Sequence, residues 1–190
     1  MTGAVILRTD AELNKLLKIP GYYKWWALRS ELELLLKVFG LSFNDVSSEI
    51  EQKGDLFCIY VGVANKSVRE RINWHINDAH TVSRVKSGIL STLRQTIASI
   101  VAGNQFDKES TNNFIDKLFV EWFYIDNEEK SKDVKCRLNQ IEKKIMNEYF
   151  RLLNIKDNQH PLSLLTKSKL KSLRKSSRGK GQKGGSLCLD

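Results

Sequence analysis

The chain has 190 residues, 41% of them hydrophobic and 28% charged, which suits one domain with a core and excludes a fibrous or wholly disordered polypeptide. Its 31 Lys and Arg against 22 Asp and Glu leave a formal net charge of +9, a balance that favours polyphosphate partners. No apolar run reaches the roughly 18 residues of a membrane span, the start of the sequence has no basic-then-apolar signal, and Cys58, Cys136 and Cys188 fit no disulfide, redox or metal spacing, so a cytoplasmic protein with no membrane partner is expected.

In chain order, Thr9-Asp10-Ala11-Glu12 has the pattern of a capping box, and Leu13, Leu16 and Leu17 then share a face, which predicts a short helix over 9–18 that stops at Pro20-Gly21. The aromatic run from Gly21 to Leu28 suits a strand. Ser30-Glu31-Leu32-Glu33 opens a second helix that closes at Gly40. Leu56-Phe57-Cys58-Ile59-Tyr60-Val61 reads as a buried strand. Ser67-Val68-Arg69-Glu70 repeats the capping pattern, so Arg71 and His75, at i and i+4, share one face of the helix that follows. Leu90, Leu93, Ile97 and Ile100 recur at helical intervals, predicting a helix from Ser83 or Ser87 up to Gly103. A third strand spans Leu118 to Ile125, ended by Asp126-Asn127, and an amphipathic helix runs from Asp133 to the neighbourhood of Leu153, exposing Glu142 near its middle.

This order predicts an α+β fold with a small three-stranded central sheet, antiparallel or mixed, flanked by helices. The domain is expected over 1–165. From residue 167 onward, eight Lys and Arg face Asp190 alone, a net +7. With many Ser and Gly and few apolar residues, 166–190 is expected to be a disordered basic tail, either drawn to polyphosphate or simply solvated.

Hydrolysis of a phosphodiester takes a base for water, a cation over the developing negative charge and usually a metal ion. Tyr23 and Tyr60 lie on predicted strands, where a phenol is aimed rigidly; their plainer role is to pack a sheet. Arg71 offers a planar fork for phosphate, and His75, one turn on, suits a shared proton or a phosphate contact. Glu142 is the natural ligand for a magnesium ion that keeps most of its waters, with a solvated helix glutamate as the alternative. Arg84, Lys86 and Arg94 suit a phosphate groove or a solvated face, as do Lys167, Lys169 and Lys171. Trp25, Trp26, Trp74, Trp122 and Phe123 read as core, although Trp74 is placed to face a substrate. His80 and His160 fit no motif.

Taken together, Gly21-Tyr22-Tyr23 resembles the first, and Tyr60-Val61-Gly62 the second, of the two tripeptides that name the GIY-YIG nuclease family. Arg71 resembles the arginine on the helix after the second tripeptide, and His75 the residue one turn later in restriction-type members. Glu142-Lys143-Lys144-Ile145-Met146 and Asn154 resemble the glutamate and asparagine motifs. The resemblance covers about residues 19–162 and implies a compact α+β nuclease fold with one Mg2+ or Mn2+ per site, held by Glu142. It implies Tyr23 as general base, Tyr60 as its support, Arg71 over the transition-state charge and Asn154 as a brace.

Among departures, Tyr22 and Val61 replace isoleucines, and 36 residues separate Tyr23 from Tyr60 where a short hairpin is usual. Residues 28–54 are therefore expected as a helical insert beside the site, directed to sequence recognition. One extra residue after Gly62 leaves Arg69 as a rival to Arg71. Glu121 and Glu148 rival Glu142, but only Glu142 lies twelve residues before Asn154. That step is about 18 Å along a continuous helix, so the helix should end and the chain fold back. The resemblance is greatest to stand-alone type II restriction endonucleases acting on double-stranded DNA, with a homodimer on a palindromic site. The alternatives are a structure-selective repair or mobile-element nuclease, and a non-catalytic nucleic-acid-binding module.

Overall fold

The computed structural model describes residues 10–125, 131–156 and 158–179; Thr9, Asp126, Asn127 and 180–190 lie outside them. A short helix α1 (Asp10–Asn14) leads into strand β1 (Gly21–Leu28), the spine of the sheet. Helix α2 (Arg29–Lys37), a 3-10 turn (Phe43–Asp45) and strand β2 (Gln52–Lys53) separate it from β3 (Leu56–Ala64). Helices α3 (Val68–Asn77), α4 (Val82–Ser87), α5 (Thr92–Val101) and α6 (Lys108–Ile115) precede β4 (Phe119–Tyr124), α7 (Ser131–Glu148) and α8 (Pro161–Gly179).

The sheet has four strands in the order β2-β3-β1-β4, all pairs antiparallel, which corrects the expectation of three. The fourth strand is the exposed pair Gln52 and Lys53. It carries no apolar alternation; a tight hairpin, with Gly54 at φ +58°, brings it onto Leu56 and Phe57.

β1 is central because both its faces are apolar. Tyr23, Trp25 and Ala27 join the main core, together with Leu32, Leu35 and Leu36 of α2, Ile72 of α3 and Leu93 and Ile97 of α5. Trp26 on the opposite face packs with Cys58, Val61 and Met146 of α7, and Tyr22 with Val134 and Leu138. A bulge shifts the β1–β3 register between Trp25 and Trp26, pairing Trp25 with Tyr60 and Trp26 with Cys58. Ile59 and Tyr60, adjacent in sequence, therefore both belong to the main core, and Tyr60 arrives on the side occupied by Tyr23.

Residues 28–54 build the core, since Leu32, Leu35, Leu36, Val46 and Ile50 are all buried. The helix expected up to Gly103 is two helices, broken where Gly88 takes φ +69° and Ser91 caps α5. The long helix α7 stops at Glu148, and the chain after it returns along β3, with Leu153 N–H donating to Ile59 O at 3.0 Å.

The expected disordered tail is corrected over 166–179, which continue α8. Its contacts with α5 and the α5–α6 loop are largely polar, so counting apolar residues misses them. Leu170, Thr166 and Ser177 are buried, Ser177 Oγ donates to Ser99 Oγ at 2.9 Å, and Gln105 Nε2 donates to Arg174 O at 2.6 Å. Among the described residues no helix is long and apolar enough to cross a membrane.

Candidate active site

A cleft of about 790 Å3 opens where β1 and β3 meet α3 and α7; its walls include Tyr23, Tyr60, Arg71, Trp74, Glu142 and Asn154. These six residues come from five elements or loops, so the grouping is tertiary.

Tyr23 stands opposite Gly62 in the β1–β3 register. A Cβ at residue 62 would sit inside the Tyr23 phenol, so the glycine is what lets the ring lie flat across the neighbouring strand. Its hydroxyl shares a 2.7 Å hydrogen bond with Nε2 of His75. Burial, then the neighbouring Tyr60, push the Tyr23 phenol well above 10, while the charge and hydrogen bond of Arg71 oppose them. Tyr60 is pushed up to about 12 by burial, again opposed by Arg71.

His75 is fully buried and does not form a wall of the cleft, which corrects the expected phosphate contact and leaves the shared proton. It sits behind Tyr23, ringed by Tyr23, Trp25, Tyr60 and Trp74. Burial first, then Arg71 and Arg94, hold the imidazole well below its usual 6.5, so the ring is neutral.

Arg71 lies with its guanidinium 4.3 Å from the Trp74 ring centroid, a stacking that leaves the edge of the fork for an anion. Arg69 instead donates to Asn14 and does not reach the cleft. The α3 N-terminus that aims Arg71 is capped by Ser67 Oγ, which accepts from Glu70 N–H at 3.1 Å.

Glu142 enters from α7, on the same face as Asn139 and Lys135, which also line the cleft. Glu121 is paired with Lys53 at 2.6 Å, and neither it nor Glu148 lines the cleft. Asn154 clamps β3: its Oδ1 accepts from Val61 N–H at 2.9 Å and its amide donates to Val61 O at 2.8 Å. The amide thus matches both backbone groups at the centre of the second tripeptide.

Among the described residues no three His, Cys, Asp or Glu side chains group as metal ligands. That donor set does not fit a closed zinc site. One carboxylate in an open, polar cleft does fit a magnesium-like ion, which takes oxygen ligands and completes its shell with water and substrate phosphate.

Several predicted contact residues are elsewhere. Arg94 is corrected from groove to core: only 1% exposed, it donates to the carbonyls of His75 and Ile76 at 2.9 and 2.8 Å, tying down the end of α3. Arg84 pairs with Asp78 at 3.0 Å, and Lys86 is exposed; neither lines the cleft. Lys167 is half-buried, and Lys169 and Lys171 are exposed on α8. None of residues 28–54 lines the cleft. Sequence reasoning missed Lys66, Lys135, Asn139 and Lys156, all in the walls. The i, i+4, i+7 spacing of Lys135, Asn139 and Glu142 was the available signal for two of them.

The model of one protein family, described as the GIY-YIG catalytic domain, matches residues 21–176. No curated protein and no solved structure matches the chain.

Proposed function

Because this chain belongs to the GIY-YIG catalytic domain family, we propose that it is a metal-dependent endonuclease that hydrolyses phosphodiesters of double-stranded DNA, and specifically a type II restriction enzyme. The observation that carries this reading is the convergence of Tyr23, Tyr60, Arg71 and Glu142 on one cleft from four separate elements.

Glu142 would hold the Mg2+ or Mn2+ ion, which when bound supplies positive charge to the phosphate and the leaving oxygen. The protein's own groups handle the proton. A free Tyr23 phenolate is disfavoured, since burial pushes that phenol well above 10. The workable route is a relay: the attacking water passes its proton to the Tyr23 oxygen as Tyr23 gives its own to His75 Nε2, 2.7 Å away. Hydroxide oxygen forms the new bond to phosphorus, the opposite P–O bond breaks, and the departing 3′ oxygen takes a proton from solvent. Arg71 donates to the phosphate oxygens, where charge accumulates. A phosphodiester bound there also offsets one of the two cations that hold His75 low, so substrate itself raises the basicity of the relay's end.

On the restriction reading, two copies related by a twofold axis would cut both strands of a palindrome. The test is incubation of the purified protein with plasmid and phage DNA, with magnesium or with chelator, beside Glu142→Ala. Discrete metal-dependent fragments that vanish in the variant are expected. Cleavage confined to branched or nicked substrates would replace restriction with structure-selective repair, and binding without any cleavage would replace the enzyme with a binding module.

A further inference from the structure

Helix α8 carries a row of cations that the cleft chemistry leaves unused. Lys171, Arg174, Lys175 and Arg178 line a second groove of about 370 Å3, at helical steps that put them on one side of α8. The helix contains no acidic residue. Ile155 is a wall of both this groove and the cleft, so the two adjoin at that side chain.

The arginines are fixed in place. Arg174 Nη2 donates to Gln95 Oε1 at 2.6 Å, and Arg178 Nη2 reaches the same oxygen at 3.4 Å, so one neutral amide on α5 tethers two guanidinium groups. Burial, then the charge of Arg178, lower the Arg174 pKa, the mark of like charges crowded together without an acid between them. Such an arrangement is unfavourable alone and is relieved by an anion. The charge of Arg174 is also felt at Tyr60, where it favours the phenolate. Arg174 of the row is therefore electrostatically coupled to Tyr60.

We propose that the Lys171–Arg174–Lys175–Arg178 face of α8 is a fixed track for the phosphates of one DNA strand, adjoining the cleft, holding the duplex on one side of the cut; this rests on the nuclease reading above. The row spans about 10 Å along the helix, a length over which long Lys and Arg side chains reach more than one phosphate of a strand. Phosphate contacts of this kind set register and orientation and carry no base information. Contacts at defined positions thus take the place of diffuse attraction by a tail.

The experiment measures binding of a duplex by fluorescence anisotropy, in chelator, across a range of salt, for wild type, Lys171→Gln/Lys175→Gln and Lys180→Gln/Lys183→Gln. The last pair removes the same charge beyond Gly179. Each lost phosphate contact lowers the slope of log K against log salt by about 0.9. The α8 pair is expected to lower it by about 1.8 and to weaken binding on the order of tenfold or more near 0.15 M salt, with an unchanged melting temperature since both lysines are exposed. The control pair is expected to change the slope by less than half as much. An unchanged slope in the α8 pair, or an equal effect in the control pair, would overturn the track. With magnesium added, wild-type cleavage together with an unaltered α8 slope overturns this inference alone; an α8-dependent slope without any cleavage supports the track and overturns the nuclease reading.

Discussion

The two sides of the cleft are built on opposite principles. Behind Tyr23 the protein is dry: His75 is fully buried, enclosed by aromatic rings, and hydrogen-bonded to the phenol. Toward α7 and α8 it is wet and cationic, with Lys135 and Asn139 exposed beside Glu142 and the arginine row beyond Ile155. A proton relay needs groups kept from water so that the proton has one path, whereas phosphate contacts work from the surface, where a long duplex can reach. On the nuclease reading, the dry side governs turnover and the wet side affinity.

The largest expected effect tests the dry side. Tyr23→Phe removes the relay and keeps the ring, so kcat should fall by about 10^2 to 10^4, the usual worth of general-base catalysis, while duplex affinity in chelator stays near wild type. A parallel loss of affinity would erase the distinction between the two sides. Arg71 sits at their junction: Arg71→Ala should lower kcat/KM by about 10^2 to 10^3, as expected for a donor to transition-state charge, whereas Arg69→Ala, whose partner is Asn14, should leave cleavage intact. The reverse result would shift the alignment of α3 by two residues.

Smaller effects concern how the sides are held together. Asn154→Leu strands the N–H and C=O of Val61, two buried groups that each cost about 1 to 3 kcal/mol unpaired; chemical denaturation should show a loss of about 2 to 4 kcal/mol. The smallest is a pH dependence. The folded-state pKa of His75 lies below its unfolded value near 6.5, so the unfolded chain binds the extra proton first and stability declines as pH falls below that value. His75→Gln should flatten this decline in part, since His80 is lowered too, and melting curves between pH 7 and 5 would read it. A steeper decline in the variant would contradict a neutral, buried imidazole.

What the sequence disclosed followed local rules. Gly21 and Gly62 belong to the two tripeptides read in the sequence, and the structure shows why glycine stands there: backbone or a phenol comes close at each. Capping by Ser67 set the phase of α3, which gave Arg71 and His75 a common face, but not that one lies in the cleft and the other beneath β1. Arg94 misled because α5 is buried on nearly all sides; its partners lie about one helix away, at His75, Ile76 and Asn112. Helix α8 was hidden because serines and glutamines, not leucines, make much of its contact. The fourth strand was hidden because a turn, not a side-chain pattern, forms it.

The clamp of Asn154 on Val61 joins residues 93 apart. Between Tyr60 and the return of the chain lie four helices, a strand and α7, all of which must be made before β3 gains this partner. Since a chain emerges from its N-terminus first, a nascent polypeptide halted before residue 142 would carry both tyrosines and the arginine but neither the carboxylate nor the clamp. The order of synthesis therefore leaves the cleft unfinished until the last third of the molecule has been made.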